Sequence, residues 1–198
     1  MYMSEVASER VRNFLKPVIE LLNGIPSVVF GFFGLVVIVP FLQKVFDLPV
    51  GESGIAGSVV LAIMALPTII SVSEDAMRNC PRSMREASLA LGATKWQTIK
   101  NVVMPYSSSG IASGVVLGIG RAVGETMAVL MVTGNAAVMP TSLFEPLRTI
   151  PATIAAELGE APAGSAHYQS LFLLGVILFI ITVLINTCVD YISNSKKR

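Results

Sequence analysis

The sequence predicts an all-α integral membrane protein with four transmembrane helices. Hydrophobic residues make up 53% of its 198 residues and charged residues 14%, and the mean hydropathy is +0.71. This composition is too apolar for a typical soluble domain. Four segments are also long and apolar enough to span a bilayer, which takes about 20 residues per helix. They are residues 18–45, 55–72, 107–132 and 171–188.

The first apolar segment is interrupted near its start by Gly24-Ile25-Pro26-Ser27. Proline removes a backbone hydrogen-bond donor and glycine relaxes the helix geometry, so regular helix is expected to stop there. Such a break at membrane depth is tolerated only where it is buried in protein or faces a cavity. Gly24, Pro26 and Ser27 are therefore candidate functional residues.

A polar and basic stretch, SMREASLALGATKWQTIKNVVMP, lies between the second and third apolar segments at residues 83–105. Ser83 with Glu86, and Thr94 with Gln97, have the spacing of capping boxes, in which a hydroxyl and a side chain three residues later cap a helix start. Gly92 lies between the two boxes. We expect two short helices joined by a glycine hinge that has no spare volume for a side chain.

Both short helices are expected to be amphipathic, because apolar and small residues recur at helical spacing. The first face combines Met84, Ala87, Ser88 and Leu91, the second combines Trp96, Ile99 and Val103, and the basic rim consists of Arg82, Arg85, Lys95 and Lys100. This shape suits docking into a groove of another protein. An amphipathic segment lying on the lipid surface is the alternative.

Lysine and arginine residues predict the orientation. They cluster before the first span, between the second and third spans, and after the fourth span at Lys196, Lys197 and Arg198, whereas the other two connections hold only Lys44 and Arg148. By the positive-inside rule, both termini and the loop between the second and third spans face the cytoplasm.

The third apolar segment carries two unusual patterns. Gly110, Gly114 and Gly118 recur every four residues and form a ridge on which another helix can pack closely. Arg121 and Glu125 then follow one turn apart, where they are expected to share one helix face. An arginine at membrane depth costs about 2.5 to 3.5 kcal/mol on insertion scales, so a pairing or a function should offset it.

Two interpretations of Arg121 and Glu125 are open. The two side chains neutralise each other, or Arg121 contacts an anion in a translocation path while Glu125 orients its guanidinium. Arginine suits phosphate because its planar fork donates two parallel hydrogen bonds.

Enzyme chemistry and metal binding are not indicated by the remaining residues. Cys80 and Cys188 have neither a disulfide framework nor a metal-ligand spacing, and His167 is the only histidine. We expect no catalytic residue, no metal and no cofactor on this chain. The connection at residues 136–170 should contain a short helix that opens at Thr149 and ends near Gly159; it either meets a substrate-binding protein or forms a re-entrant or surface loop.

The stretch from Glu86-Ala87-Ser88 through Gly92 to Val102-Val103-Met104-Pro105 resembles the EAA loop of ABC-importer permeases. It departs from that pattern, E-A-A, three residues, G, nine residues, I-x-L-P, at Ser88, Val102 and Met104. The resemblance implies that residues 74–105 form a cytoplasmic coupling loop seated in an ATP-hydrolysing subunit. The candidate coupling residues are Arg85, Glu86, Ala87, Gly92, Trp96 and Pro105.

Residues 24–31, GIPSVVFG, and residues 120–129, GRAVGETMAV, resemble the permeases of phosphate-specific transport systems, of the PstC type. The resemblance covers essentially the whole chain and implies a MetI-like ABC permease core in a prokaryotic cell membrane. It implies a role for Arg121 and Glu125 in phosphate transport, and Thr126 is added as a pathway candidate. The implied partners are a second permease of PstA type, an ATPase dimer that binds ATP and Mg, and an extracytoplasmic phosphate-binding protein.

Lipid is the other expected contact, and no nucleic acid is expected. The chain lacks a G-x-x-x-x-G-K-[ST] phosphate loop, so the nucleotide should bind to another subunit. A permease for another oxyanion such as sulfate, molybdate or tungstate is the nearest alternative, and a channel or secondary transporter is a more distant one. Because PstC-type permeases typically have two further spans ahead of this region, we expect the chain to be part of a longer protein, with a natural four-span core as the alternative.

Overall fold

A computed structural model describes residues 1–195, and this part of the chain is helical, with one isolated bridge between Gly134 and Leu147. Lys196, Lys197 and Arg198, which the orientation prediction uses, lie outside the described residues. The α-helices in the described part are α1 (Glu9–Gly24), α2 (Ser27–Phe33), α3 (Val39–Val45), α4 (Gly54–Arg78), α5 (Arg82–Ala90), α6 (Lys95–Thr98), α7 (Met104–Val123), α8 (Met127–Val132), α9 (Ile150–Glu157) and α10 (Ala166–Ser195).

Short π-helical segments occur at Tyr2–Val6, Gly34–Ile38 and Ile99–Val103. The second joins α2 to α3 and the third joins α6 to α7, so each pair forms one long helix. Within the described residues, four helices are long and apolar enough to cross a membrane: Ser27–Val45, Gly54–Arg78, Lys95–Val123 and Ala166–Cys188. The prediction of an all-α protein with four spans is confirmed.

The bounds of all four spans differ from the sequence prediction. The second ends at Arg78 and not at residue 72, the third begins at Lys95 and not at residue 107, and the fourth begins at Ala166 and not at residue 171.

In two of the spans the difference is a helix that stops inside the predicted segment. The first span begins at Ser27, because α1 ends at Gly24 and Pro26 takes an extended conformation (φ −58°, ψ 140°) ahead of α2. The third span ends at Val123, and residues 127–132 form the separate helix α8. In both cases a helix stops within a longer apolar run, and apolarity alone does not mark such a stop.

The chain divides into two compact units. Among the described residues, unit 1 comprises Met1–Gly24, Leu66–Ile119 and 185–195, and unit 2 comprises Ile25–Ala65 and Gly120–Leu184.

Unit 1 is organised around the contact of α4 with α7. A Cβ atom built on Gly110 would lie 2.4 Å from Cβ of Ala76, and one on Gly114 would lie 3.2 Å from Cβ of Val72. The glycine ridge therefore serves close helix packing, as predicted for these two positions. Beside it, Met77, Cys80 and Val103 form a small buried cluster with Ile111.

Polar contacts attach α1 to α4 within unit 1. Lys16 Nζ lies 2.9 Å from Glu74 Oε2 and 2.7 Å from Asp75 Oδ1, and Thr68 Oγ1 donates to Asn23 Oδ1 at 2.9 Å. The hydrogen bonds to Asp75 and then to Glu74 raise the pKa of Lys16 above its ordinary value of 10.5. Lys16 is therefore charged throughout the physiological pH range.

Unit 2 has an apolar core between the first span, the start of α4, and α8. Its buried members are Phe30, Ile38, Val39, Leu42, Ala56, Val60, Met64, Ala128 and Val132. The contact between α2 and α8 is tight at Gly31, where a Cβ atom would lie 2.8 Å from Cα of Ala128 and 2.9 Å from Sδ of Met131. This packing holds α8 in place immediately after the end of α7.

The connection between α8 and α10 contains the short helix predicted from its sequence. α9 spans Ile150–Glu157, and the side chain of Thr149 caps it by accepting from Ala152 N–H. Glu157 at the end of α9 pairs with Arg148 and lies 3.2 Å, Oε2 to Nε2, from His167 in the first turn of α10. The ion pair with Arg148 therefore joins the end of α9 to the residue ahead of its N-cap, and His167 lies beside the same carboxylate.

Candidate functional site

The first candidate site is the interruption between α7 and α8 in unit 2, which contains Arg121, Glu125 and Thr126. Arg121 lies in the last turn of α7, where the unpaired carbonyl groups of a helix end favour a positive charge. Glu125 Oε1 accepts from the backbone N–H of Ala128 at 3.2 Å and so caps the start of α8. Arg121 and Glu125 are each half-buried.

The expected sharing of one helix face by Arg121 and Glu125 is wrong. α7 ends at Val123, and Glu125 N–H donates to Ala122 O at 3.3 Å in a tight turn. Thr126 follows with φ −116° and ψ −60°, and its hydroxyl donates to Gly124 O at 3.3 Å. The two charged groups thus lie on either side of a helix break, one on the end of α7 and the other at the start of α8.

A cavity of about 450 Å³ borders this break. Gly124 and Thr126 line one side, Pro151, Ile154, Ala155, Leu158 and Gly159 line it from α9 and the residues that follow, and Leu178 contributes from α10. Of the three predicted pathway residues, Thr126 is the one that lines this cavity. The break is therefore bordered by an open space within unit 2.

The second candidate site is the predicted coupling loop, residues 74–105, in unit 1. α5 and α6 are separated by Gly92, which has φ +84°. The predicted capping box at Thr94 and Gln97 is confirmed, with both reciprocal hydrogen bonds formed. The arrangement of helix, glycine and helix is therefore as predicted.

Two local predictions for the coupling loop are wrong. Ser83 and Glu86 form no capping box, because α5 begins at Arg82 with Pro81 as its N-cap, and Ser83 lies inside the helix. Gly92 does not lack space, because a Cβ atom there would meet nothing within 4 Å. Glycine is favoured at this position by its positive φ, which side-chain-bearing residues rarely adopt.

The apolar residues of the coupling loop divide into an exposed set and a buried set. Ile99 and Val103 are buried inside unit 1. Met84, Leu89, Leu91 and Trp96 are exposed, with Leu91 89% exposed. Glu86, Ala87 and Pro105 are also exposed, so most of the candidate coupling residues are accessible to a partner.

Arg85 departs from the expected basic rim, because its guanidinium points into unit 1. Nη1 donates to Glu5 Oε2 at 3.1 Å, Nη2 lies 3.0 Å from Glu5 Oε1, and Nη2 donates to the carbonyl of Met77 at 2.8 Å. Ser88, one of the three departures from the EAA pattern, hydrogen-bonds through Oγ to Thr98 Oγ1 at 2.9 Å and so joins α5 to α6.

Sequence reasoning missed both the Arg85 contact with Glu5 and the pairing of His167 with Glu157. Eighty residues separate Glu5 from Arg85 in the chain, so no local pattern relates them. The one available signal at Arg85 is its position three residues before Ser88, which places both on the side of α5 that faces α6.

Taken together, the four apolar helices, the break that carries Arg121 and Glu125, and the exposed helix-glycine-helix loop define an all-helical membrane protein with several spans. A family model described as "Binding-protein-dependent transport system inner membrane component" matches residues 1–197, and the chain belongs to this family. It is a multi-pass membrane protein of that family.

Among curated proteins, the "Probable ABC transporter permease protein YqgH" of Bacillus subtilis is 44% identical over 197 residues, which cover 100% of this chain and 64% of that protein. The "Phosphate transport system permease protein PstC" of Mesorhizobium japonicum is 39% identical over 210 residues, covering 96% of this chain and 64% of that protein. The chain thus spans just under two thirds of the length of these relatives.

Among solved structures, an inward-facing structure of the MetNI methionine ABC transporter matches with a TM-score of 0.71. It covers 98% of this chain and 79% of the matched chain, at 22% sequence identity. At this identity the likeness concerns the fold, and the expected MetI-like fold is confirmed.

Proposed function

We propose that this chain supplies the transmembrane pathway, as one permease subunit, of an ATP-binding-cassette importer that takes up inorganic phosphate. The observation that carries the proposal is its similarity, over 96% of its length, to a protein named as a phosphate transport system permease. Two structural features agree with the proposal. The helix break at Arg121 places a positive charge where an anion could bind, and the exposed coupling loop offers a surface to a partner protein.

Uptake of phosphate requires an energy source. Moving a divalent anion into a cell held at about −100 mV costs roughly 4 to 5 kcal/mol before any concentration gradient is added. A passive channel would therefore carry phosphate outward. ATP hydrolysis supplies the energy in this proposal, and ATP and Mg bind to a separate ATPase dimer.

Arg121, Glu125 and Thr126 form the proposed anion contact. The guanidinium of Arg121 offers a planar pair of donors that fits two phosphate oxygens. The carboxylate of Glu125, four residues away across the helix break, orients this guanidinium. Thr126 lines the adjoining cavity and offers a hydroxyl to the anion. The breaks at Gly24, Pro26 and Ser27 and at Gly124 give the pathway two flexible points.

The coupling loop is the proposed contact with the ATPase. The exposed apolar residues Leu91 and Trp96, together with Glu86, are suited to a groove on that subunit. Closure of the ATPase dimer on ATP would push the coupling loops of the two permeases together and so alternate the access of the pathway. The second permease is of PstA type, and an extracytoplasmic phosphate-binding protein delivers the anion.

The proposed location is the cell membrane of a prokaryote, with both termini of this chain and the coupling loop in the cytoplasm. The supporting observation is the clustering of lysine and arginine in those segments. Modification of single introduced cysteines by a membrane-impermeant thiol reagent in intact cells tests this orientation, after the two native cysteines are replaced. The Leu91→Cys variant should stay unlabelled and the Met139→Cys variant should be labelled.

The function is tested by uptake of radiolabelled phosphate into proteoliposomes that contain the assembled importer with its binding protein. We expect uptake that requires ATP and is lost when the nucleotide site of the ATPase is inactivated. Uptake that persists with the inactive ATPase would support a channel or secondary transporter instead. Competition by excess sulfate, molybdate or tungstate distinguishes the other oxyanions, and we expect these anions to leave phosphate uptake unchanged.

A further inference from the structure

Arg85 is the contact point between the coupling loop, the end of α4 and the segment that precedes α1. It lies in α5, and its two terminal nitrogens reach the carboxylate of Glu5 and the backbone carbonyl of Met77. Met77 lies in the last turn of α4, where carbonyl groups lack helical partners and accept hydrogen bonds from side chains. One guanidinium therefore holds two other segments of unit 1 on α5.

The geometry of this contact resists rotation and sliding. Nη1 donates to Glu5 Oε2 at 3.1 Å and Nη2 donates to the Met77 carbonyl at 2.8 Å, so the two hydrogen bonds run to separate segments. Nη2 also lies 3.0 Å from Glu5 Oε1 as an ion-pair contact, without a hydrogen bond to that oxygen. The hydrogen bond between the guanidinium and the carboxylate joins two charged groups, and such bonds are stronger than those between neutral groups. The carboxylate of Glu5 is only 6% exposed, so water competes weakly for it.

The outer part of the coupling loop is fixed to the same helix. The hydrogen bond between Ser88 Oγ and Thr98 Oγ1 joins α5 to α6, and Thr98 is buried. A partner that displaces the exposed surface at Leu91 and Trp96 would therefore move α5 and α6 together, because this hydrogen bond connects them. Arg85 is where this pair is attached to α4.

We propose that Arg85 is a positioning residue that makes α5 and the end of α4 move together, so that displacement of the coupling loop reaches the membrane-spanning helix. This inference rests on the proposed function, since it assumes that an ATPase displaces the loop. It assigns Arg85 an internal task, acting through Glu5 and Met77, in place of a surface contact with the ATPase. Glu5 shares this positioning role, because its carboxylate accepts the hydrogen bond from Arg85.

The test compares ATP hydrolysis with phosphate uptake in proteoliposomes that contain the complete importer and its binding protein. The variants are Glu5→Gln, Arg85→Gln and the double variant, and Glu9→Gln is the matched control because it removes the same charge from an exposed site nearby. We expect the ratio of ATP hydrolysed to phosphate taken up to rise about tenfold in either single variant, since loss of a charge-assisted hydrogen bond commonly shifts an equilibrium by that factor. The double variant should resemble the more impaired single variant, and Glu9→Gln should match the wild type.

Two results would overturn the proposal. One is an unchanged ratio in both single variants. The other is a parallel fall of hydrolysis and uptake in proportion to the amount of assembled complex, which is the result that a purely structural role produces. Failure of the proposed function is distinguishable from both, because it shows in the wild-type importer as an absence of ATP-dependent phosphate uptake.

Discussion

Lys16 and Glu74 form an ion pair, 2.9 Å from Nζ to Oε2, that joins the helix ahead of the first span to the second span. The side chain of Glu74 is only 2% exposed, and Arg78 Nη1 lies 3.6 Å from its other oxygen. A carboxylate enclosed to this degree is costly to keep ionised unless cations are close to it. The position of α1 on α4 therefore depends on this pair.

Replacement of Lys16 by methionine should destabilise the protein, because it leaves the buried carboxylate of Glu74 with one more distant cation. We expect a loss of about 1 to 3 kcal/mol, below the range for fully buried pairs since Lys16 is partly exposed. Thermal unfolding in detergent measures this as a lower Tm. Lys44→Met, at an exposed position at the end of α3, is the control and should change Tm little. Equal effects of the two substitutions would contradict the importance of the pair.

The ion pair of Lys16 also predicts how the stability of the protein depends on pH. The pKa of Lys16 is raised above 10.5 in the folded protein, mainly by the hydrogen bond to Asp75 and then by that to Glu74. The stabilisation is therefore complete below 10.5 and is lost as the pH rises through the raised value. We expect the difference in Tm between wild type and Lys16→Met to be constant through the neutral range and to shrink only in strongly alkaline solution.

The sequence allows the spans, the glycine hinge and the cap at Thr94 to be predicted, because apolar run length and local capping chemistry determine them. It does not show where a helix stops inside an apolar run. Arg121 and Glu125 have helical spacing, and yet packing of Ala128 against Gly31 holds α8 as a separate helix. Contacts between distant segments, such as Arg85 with Glu5, leave no local pattern. This is why the order of helix, glycine and helix in the loop is predicted while the direction of the Arg85 side chain is not.

Replacement of Gly31 by alanine should destabilise unit 2. The new methyl group would lie 2.8 Å from backbone Cα of Ala128, so one of the two helices must shift. Overpacking of this kind costs about 1 to 3 kcal/mol, partly offset by the higher helix propensity of alanine. Gly159→Ala is the control, since nothing lies within 4 Å of its Cβ position. The comparison is made by thermal unfolding, and a Gly31 variant as stable as the control would argue against close packing of α2 on α8.

Substitutions of Gly92 should rank by their tolerance of positive φ and not by their size. The site has φ +84° and open space around it, so asparagine, which enters this conformation readily, should be accepted better than valine. The cost for valine is on the order of 1–2 kcal/mol, because its branched side chain clashes with its own backbone there. We expect Gly92→Asn to retain most ATP-driven uptake and Gly92→Val to lose much of it. Equal loss in both would instead indicate that a partner occupies the space beside Gly92.

Replacement of Arg121 by glutamine should reduce phosphate uptake at least tenfold while the importer still assembles. Glutamine keeps a polar group and removes the charge and the paired donors, which are worth about 1.5 to 3 kcal/mol in hydrogen bonds to a charged group. Uptake and co-purification of the ATPase are measured on the same preparation. Arg10→Gln, at an exposed position in α1, is the control for loss of a positive charge. Normal uptake by the Arg121 variant would exclude the anion contact.

Two substitutions separate the two roles of Glu125. Its Oε1 caps α8 by accepting from Ala128 N–H at 3.2 Å, and its charge is proposed to orient Arg121. Glutamine offers the same acceptor without the charge, whereas alanine offers neither. We therefore expect Glu125→Gln to remain within about 0.5 kcal/mol of wild-type stability and Glu125→Ala to lose about 1 kcal/mol, as is typical when a cap is removed. Both substitutions should lower phosphate uptake.

The double variant Arg121→Gln with Glu125→Gln tests whether the charge of Glu125 acts through Arg121. If it does, uptake by the double variant should be no lower than uptake by Arg121→Gln alone, because the effects of substitutions at two interacting residues do not add. Normal uptake by Glu125→Gln would leave the cap as the sole role of this residue, and the orientation of Arg121 would then have to come from other groups.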